Sequence, residues 1–306
     1  MTRALESGPV SETHCTVYND AQCVQQVSTF CQFFVDKVRH IQNNILAALQ
    51  SSASRTFAVR QYLGTELSVF EPTTTEKVRK LSGMPSKSSP LNVLPCSLLK
   101  SCAHVFAPVI ARLANLSLQC GKFPTRYNRV QVLPLLKKAR LDSSLPVNYR
   151  LISNLSIVSK VLERLIFACL QPHLLGSSNF SEFQSAYRKG HSTETALQEV
   201  MDGAFTVAVN KQFTVLIGLD LLAAFDTVDH RLLLSRLRLE FGVMETPLNW
   251  LQSDLEGQTQ FVKMGQYQSA AIGVDIGVPL GSVLGPLLFA VYCSPVATSS
   301  HTMAIR

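Results

Sequence analysis

Apolar residues along this chain follow two rhythms, and the switches between them mark out its elements. Between Cys15 and Gln50 the rhythm is helical: within VSTFCQFFVDKVRHIQNNILAAL, 27–49, it sets Phe30, Phe34, Val38, Ile41 and Ile45 on one face. A Ser/Thr-rich linker follows at 51–56. TTTEKVRKL, from Thr73, predicts a capped helix start, and PSKSSPLNVLP, from Pro85, a loop. A second amphipathic helix is expected from Ser101 to Cys120, with Gly121 as its C-terminal glycine cap. VQVLPLLKK, from Val130, predicts a strand with a basic exit. A long helix from Ser156 to Leu170 carries Ile157, Val161, Leu165 and Cys169 as one stripe, and Pro172 is expected to stop it. Ser192 caps a helix reaching about Asn210, with Glu194 in the first turn, where the helix dipole favours a carboxylate.

The strongest strand signal comes next. FTVLIGLD, 213–220, is apolar and β-branched, the composition of a strand buried on both faces. A helix from Asp229 ends at Gly242, and Thr246-Pro247 supplies N-cap and N1 residues for another, ending near Gly257. QFVKM and SAAIGV, on either side of Gly265, predict a hairpin, and GVPLG leads into a final helix. Met1 to about His14 shows no such rhythm and is expected to be disordered; no internal repeat is present. The class is therefore α+β.

Composition narrows the partners more than the fold. With 306 residues and 46% hydrophobic content, one large or two modest domains can each bury a core. A net charge of +7 and a pI near 9.0 suit a phosphate-bearing partner without proving one. Eight cysteines are scattered with no CxxC pair; Cys15, Cys23 and Cys31 recur every eight residues, which fits neither a zinc site nor a helix face. They read as reduced and mostly buried in an intracellular protein of the cytoplasm or nucleus. No signal peptide follows Met1, and VLGPLLFAVYC, from Val283, is too short and too broken by Pro and Gly to span a bilayer.

Three places carry candidate chemistry. Asp220 ends the predicted strand, where a carboxylate can hold a hard divalent cation or cap the following helix. Arg188, Lys189 and His191 form a basic loop just before a helix N-terminus, either a phosphate site or a solvated surface loop. Gly277 and Gly281 permit close backbone approach to a ligand, or simply turn the chain between hairpin and helix.

Taken in order, four blocks resemble one family. NYRLISNLSIVSKVLERLI from Asn148, FQSAYRKGHSTETAL from Phe183, LDLLAAFDTVDH from Leu219 and GVPLGSVLGPLLF from Gly277 are similar to the reverse transcriptases of non-LTR, LINE-type retrotransposons. The likeness reaches upstream through SGMPSKSSPLNVLPCSLLK and FAPVIARLANLSLQCGKFPTRYNRVQVLPLLKK, and so covers roughly Phe70 to Tyr292. It implies right-hand polymerase fingers and an incomplete palm behind a helical N-terminal segment. The implied division is 1–70 helical and partly disordered, 71–126 a helical linker, 127–294 the reverse transcriptase domain and 295–306 an unrelated tail. It also implies an RNA-directed DNA polymerase with an RNA template, a DNA primer, deoxynucleotides and Mg²⁺ as its partners, and no membrane. Asp220 matches the first metal-binding Asp, with the carbonyl of Leu221 as a further oxygen ligand. Phe225 matches the residue that excludes a 2′-OH, its alternative being core packing; Asp226 orders the following turn. Arg150 matches a triphosphate contact, suited by its bidentate fork. Arg188, Lys189 and His191 become nucleic-acid contacts, and Gly281 part of the loop against the nascent base pair.

Departures from the pattern bear on activity. Leu280 stands where the family has Gln in GVPQG, and Leu151 where it has Pro in RPIS. No Asp-Asp pair occurs anywhere, so the Tyr-Ala-Asp-Asp hairpin that supplies the other metal-binding carboxylates is missing. The expectation is a polymerase domain fragment, truncated before that hairpin and inactive alone. The alternatives are a non-catalytic nucleic-acid-binding remnant or a translated relic without function.

Overall fold

The computed structural model describes residues 20–51, 60–82, 91–92, 95–221 and 223–295. The expectations for 1–14, for the linker past Ser51, for most of the 85–95 loop and for nearly all of the tail lie outside those residues. The described residues open with α1 (Asp20–Ser51), α2 (Thr75–Ser82), α3 (Cys96–Ser101) and α4 (Ala103–Cys120). Gly121 closes α4 at φ 60°, the left-handed cap the sequence predicts. Then come β1 (Arg129–Leu136), β2 (Tyr149–Asn154), α5 (Ile157–Leu175), α6 (Thr193–Val209), α7 (His230–Leu239) and α8 (Glu245–Leu255). β3 (Gln258–Met264), β4 (Tyr267–Gln268), β5 (Ile272–Val274) and α9 (Gly285–Cys293) complete the order.

β1 is the hub of the sheet. It pairs antiparallel with β2, Leu135 opposite Arg150, and parallel with β3, Val132 opposite Val262. Pro134 lies beyond Val132, where pairing with β3 has ended, so its missing N–H breaks no bond to β3. The predicted hairpin at Gly265 forms, but its return strand comes in two pieces, β4 and β5, both antiparallel to β3. Between them Ser269 Oγ accepts from the Val262 amide at 3.0 Å, substituting for a strand carbonyl.

Among the described residues two cores hold this frame. The larger joins α4, α5, α7, α8 and α9 around Ile166, Leu170, Leu233 and Trp250, all fully buried. Trp250 donates from Nε1 to Ser117 Oγ at 2.8 Å and meets Phe123 edge-on, so its polar atom is satisfied inside the core. The smaller core seats α1 on the sheet: Val27, Phe30, Cys31 and Phe34 pack on Val130, Val132, Leu155 and Val262. Only the first two members of the predicted α1 stripe are buried; Ile45, three turns on, is exposed because the helix runs past the sheet. The Cys31, Cys96 and Cys293 side chains are buried outside any disulfide, while Cys120 is exposed.

Three expectations are corrected. α5 runs through Pro172 to Leu175: that proline sits in the last turn, where the lost hydrogen bond is one of few remaining, and the Gly176 amide donates back to its carbonyl. α8 begins at Glu245, ahead of Thr246, with Met244 as N-cap. The largest correction concerns FTVLIGLD. Residues 212–221 adopt neither helix nor strand and pair with no strand, and Phe213 is 100% and Ile217 76% exposed. Apolar composition states that a segment would gain by burial; a strand also needs neighbours for its N–H and C=O groups. Among the described residues none lies alongside it. α6, just before it, buries only Ala196.

Candidate functional site

The sheet, α1 and the 277–281 loop enclose an open cleft of about 770 Å³. Arg150 and Ser153 of β2 line one side, Gly277 to Leu280 another, and Asp220, Leu221 and Asp226 a third. Three of the sequence blocks therefore meet at one place. Asp220 reaches the rim from the unpaired segment, at no strand end, and its side chain is exposed.

The loop is held by backbone bonds on both flanks. The Gly277 amide donates to Val228 O at 2.9 Å and the Val278 amide to Phe225 O at 2.8 Å. Across the cleft wall the Ser153 amide donates to Leu280 O at 3.0 Å. The glycines are needed, and the atoms they approach are the protein's own. A Cβ on Gly277, at φ +87°, would stand 2.8 Å from Asp226 O; one on Gly281, at φ +123°, would stand 2.7 Å from Ser153 O.

Charges of both signs face the space. Lys37 and Arg39 enter from α1 and Lys137 from the exit of β1, joining Arg150; Asp220, Asp226 and Asp275 oppose them. Lys137 Nζ donates to Val147 O at 2.9 Å, and Arg39 pairs with Asp36 at 3.0 Å. Burial pushes the Asp226 carboxyl above its ordinary range, and the charge of Lys37 draws it back. The basic exit of β1 was legible in the sequence. The α1 cations were not, because only tertiary packing brings them here.

Other predicted residues lie elsewhere. The half-buried Phe225 ring stacks on Phe289 at 4.8 Å and meets Tyr187 edge-on at 6.0 Å, packed against the larger core rather than on the cleft wall. Arg188, Lys189 and His191 sit on their own turn, where Arg188 donates to Glu182 O at 3.1 Å. Ser192 and Thr195 close a capping box behind them, as the predicted N-cap requires. Among the described residues no group of three or more His, Cys, Asp or Glu side chains gathers to hold a metal ion. Asp220 and the Leu221 carbonyl alone do not fit a two-metal centre, which needs several carboxylates around each dication.

A family model described as reverse transcriptase (RNA-dependent DNA polymerase) matches residues 136–304, more than half of the chain. The chain belongs to the reverse transcriptase family. Its relatives are proteins of mobile elements. It is 30% identical over 259 residues to an RNA-directed DNA polymerase from mobile element jockey of Drosophila melanogaster, covering 80% of this chain and 27% of that protein. It is 26% identical over 294 residues to a probable RNA-directed DNA polymerase from transposon X-element of the same species, covering 95% of this chain and 32% of the relative. A third, from transposon BS, is 30% identical over 218 residues, covering 71% and 24%. The chain thus spans about a quarter to a third of the length of these curated relatives. The reverse transcriptase match takes in Lys137, Arg150, Asp220, Phe225 and the 277–281 loop, whereas α1, with Lys37 and Arg39, precedes it. No described helix is long and apolar enough to cross a membrane.

Proposed function

We propose that this chain is the fingers and part of the palm of a non-LTR retrotransposon reverse transcriptase, and that it grips nucleic acid without extending a primer. One observation carries the reading: Arg150, Asp220 and the 277–280 backbone, from three separate sequence blocks, line a single cleft. A volume of about 770 Å³ suits a nucleotide-sized ligand. Arg150, Lys137, Lys37 and Arg39 supply cations for its phosphates, and the 277–280 loop offers a wall for a base pair. An RNA template and DNA primer are the expected partners, with a deoxynucleotide in the cleft. Arg188 and Lys189, outside it, take backbone phosphates. The carboxylates support the non-catalytic reading: among the described residues Asp220 is joined by no group of acidic side chains of the kind a two-metal centre gathers.

Two measurements test this. Binding of a primer–template duplex should be weak and fall steeply with salt, because neutralised phosphates release counterions. Arg188→Ala combined with Lys189→Ala should weaken it alike for all sequences. Primer extension with RNA template, Mg²⁺ and deoxynucleotides should stay at background. Extension that Asp220→Ala abolishes would overturn the proposal.

A further inference from the structure

Glu163 is an acidic residue buried among the apolar side chains of α5. It lies within VLERLI, between Val161 and Leu165, and is 3% exposed. A buried carboxylate is costly unless its lone pairs are taken up. Here they are. Oε2 accepts from the Val283 amide at 2.5 Å and from the Leu284 amide at 3.2 Å, and Oε1 accepts from Ser159 Oγ at 3.1 Å. Val283 and Leu284 lead directly into α9, whose Gly285 amide donates to Ser282 Oγ at 2.8 Å. The carboxylate thus fills the donor-rich entry of that helix, where negative charge is favoured. The same short segment begins with the 277–281 loop. Its upstream end is fixed to the 3₁₀ turn Ala224–Thr227 and to Val228, and its middle to Ser153. Glu163 fixes its downstream end.

We infer that Glu163 is a positioning residue: by clamping the Val283 and Leu284 amides from α5, it sets the 277–281 loop at the height from which the loop faces the cleft. The inference rests on reading that cleft as a nucleotide site. It makes α5, which contributes no wall to the cleft, the support on which one wall stands.

Glu163→Leu removes the acceptors at nearly constant shape and leaves two amides unpaired. Glu163→Gln keeps one carbonyl oxygen for both amides, and its NH₂ can meet the Ser159 hydroxyl. In the full chain, hydrogen exchange at Val283 and Leu284 should accelerate at least about tenfold in Glu163→Leu, the scale of one lost charge-assisted hydrogen bond. Glu163→Gln should stay near wild type, and the α7 amides should keep their protection in both. A fluorescently labelled deoxynucleoside triphosphate should bind Glu163→Leu more weakly, and Glu163→Gln as wild type does. If Glu163→Leu does not fold, Ser159→Ala serves instead, with a smaller rise confined to the same two amides. Unchanged exchange at those amides overturns the inference, as does a Gln variant as loose as the Leu variant. If the wild type binds no labelled nucleotide, the cleft reading falls, and the exchange arm alone decides the role of Glu163 in holding the loop.

Discussion

His230 donates from Nε2 to the carbonyl oxygen of Gly277 at 2.7 Å, tying the first turn of α7 to the loop that walls the cleft. A carbonyl only accepts, so the ring proton must sit on Nε2. His230→Ala leaves that acceptor without its partner in a half-buried place. The expected cost is about 1–2 kcal/mol, read as a lower urea midpoint with unchanged slope. An unchanged midpoint would mean that water replaces the ring without loss.

Gly277→Ala and Gly281→Ala should each destabilise by about 1–3 kcal/mol, since both positions combine a positive φ with a backbone atom inside normal contact distance. Gly273→Ala is the control. Nothing lies within 4 Å of its added Cβ, so its change should stay within about 0.5 kcal/mol. Equal effects at all three sites in thermal melts would contradict the close packing of the loop.

Asp254 gives a pH dependence. Burial first, and then the neighbouring Glu163 charge, push its carboxyl well above the ordinary range. A carboxyl whose folded pKa exceeds its unfolded value stabilises the fold as the neutral acid. That contribution is complete below about pH 4, near the unfolded value, and is lost as pH rises through the folded pKa. Asp254→Asn, neutral throughout, should match wild type near pH 4 and become progressively more stable than it toward neutral pH. Denaturation midpoints across that range supply the comparison; a pH-independent difference would show that Asp254 keeps its charge when folded.

Ile217→Lys tests the unpaired segment. The side chain contacts little, so the melting transition should be nearly unchanged, within about 0.5 kcal/mol. Exposed apolar backbone with free hydrogen-bonding groups invites pairing between molecules, so concentration-dependent association should fall in sedimentation velocity. Undiminished association would place the sticky surface elsewhere, with the exposed Leu197, Met201 and Phe205 of α6 next in line.

What the sequence made legible was local. Ser192 and Asp229 announce the starts of α6 and α7 because capping is a contact over three residues, and Gly121 and Gly265 mark ends and turns for the same reason. Arg150 and the 277–280 loop were singled out through ordered blocks rather than periodicity, but that they line one cleft is seen only in the fold. What stayed hidden depends on distant parts. FTVLIGLD carries the composition of a buried strand, yet composition cannot tell whether a neighbour exists. Glu163 looks like a polar interruption of α5 until α9 arrives to donate to it. Lys37 and Arg39 belong to the cleft only because Phe30 and Phe34 seat α1 on the sheet.

The parallel pairing of β1 with β3, residues 129–132 against 259–262, also orders events at the ribosome. The floor on which α1 rests includes Val262, so it stays unfinished until the last third of the chain has emerged. Throughout that interval Val27, Phe30, Cys31 and Phe34 have no complete surface to cover them. Such waiting apolar faces are natural clients for holding chaperones, and distant strand pairings are slow to form. α1, made before the other described helices, is therefore among the last of them to settle.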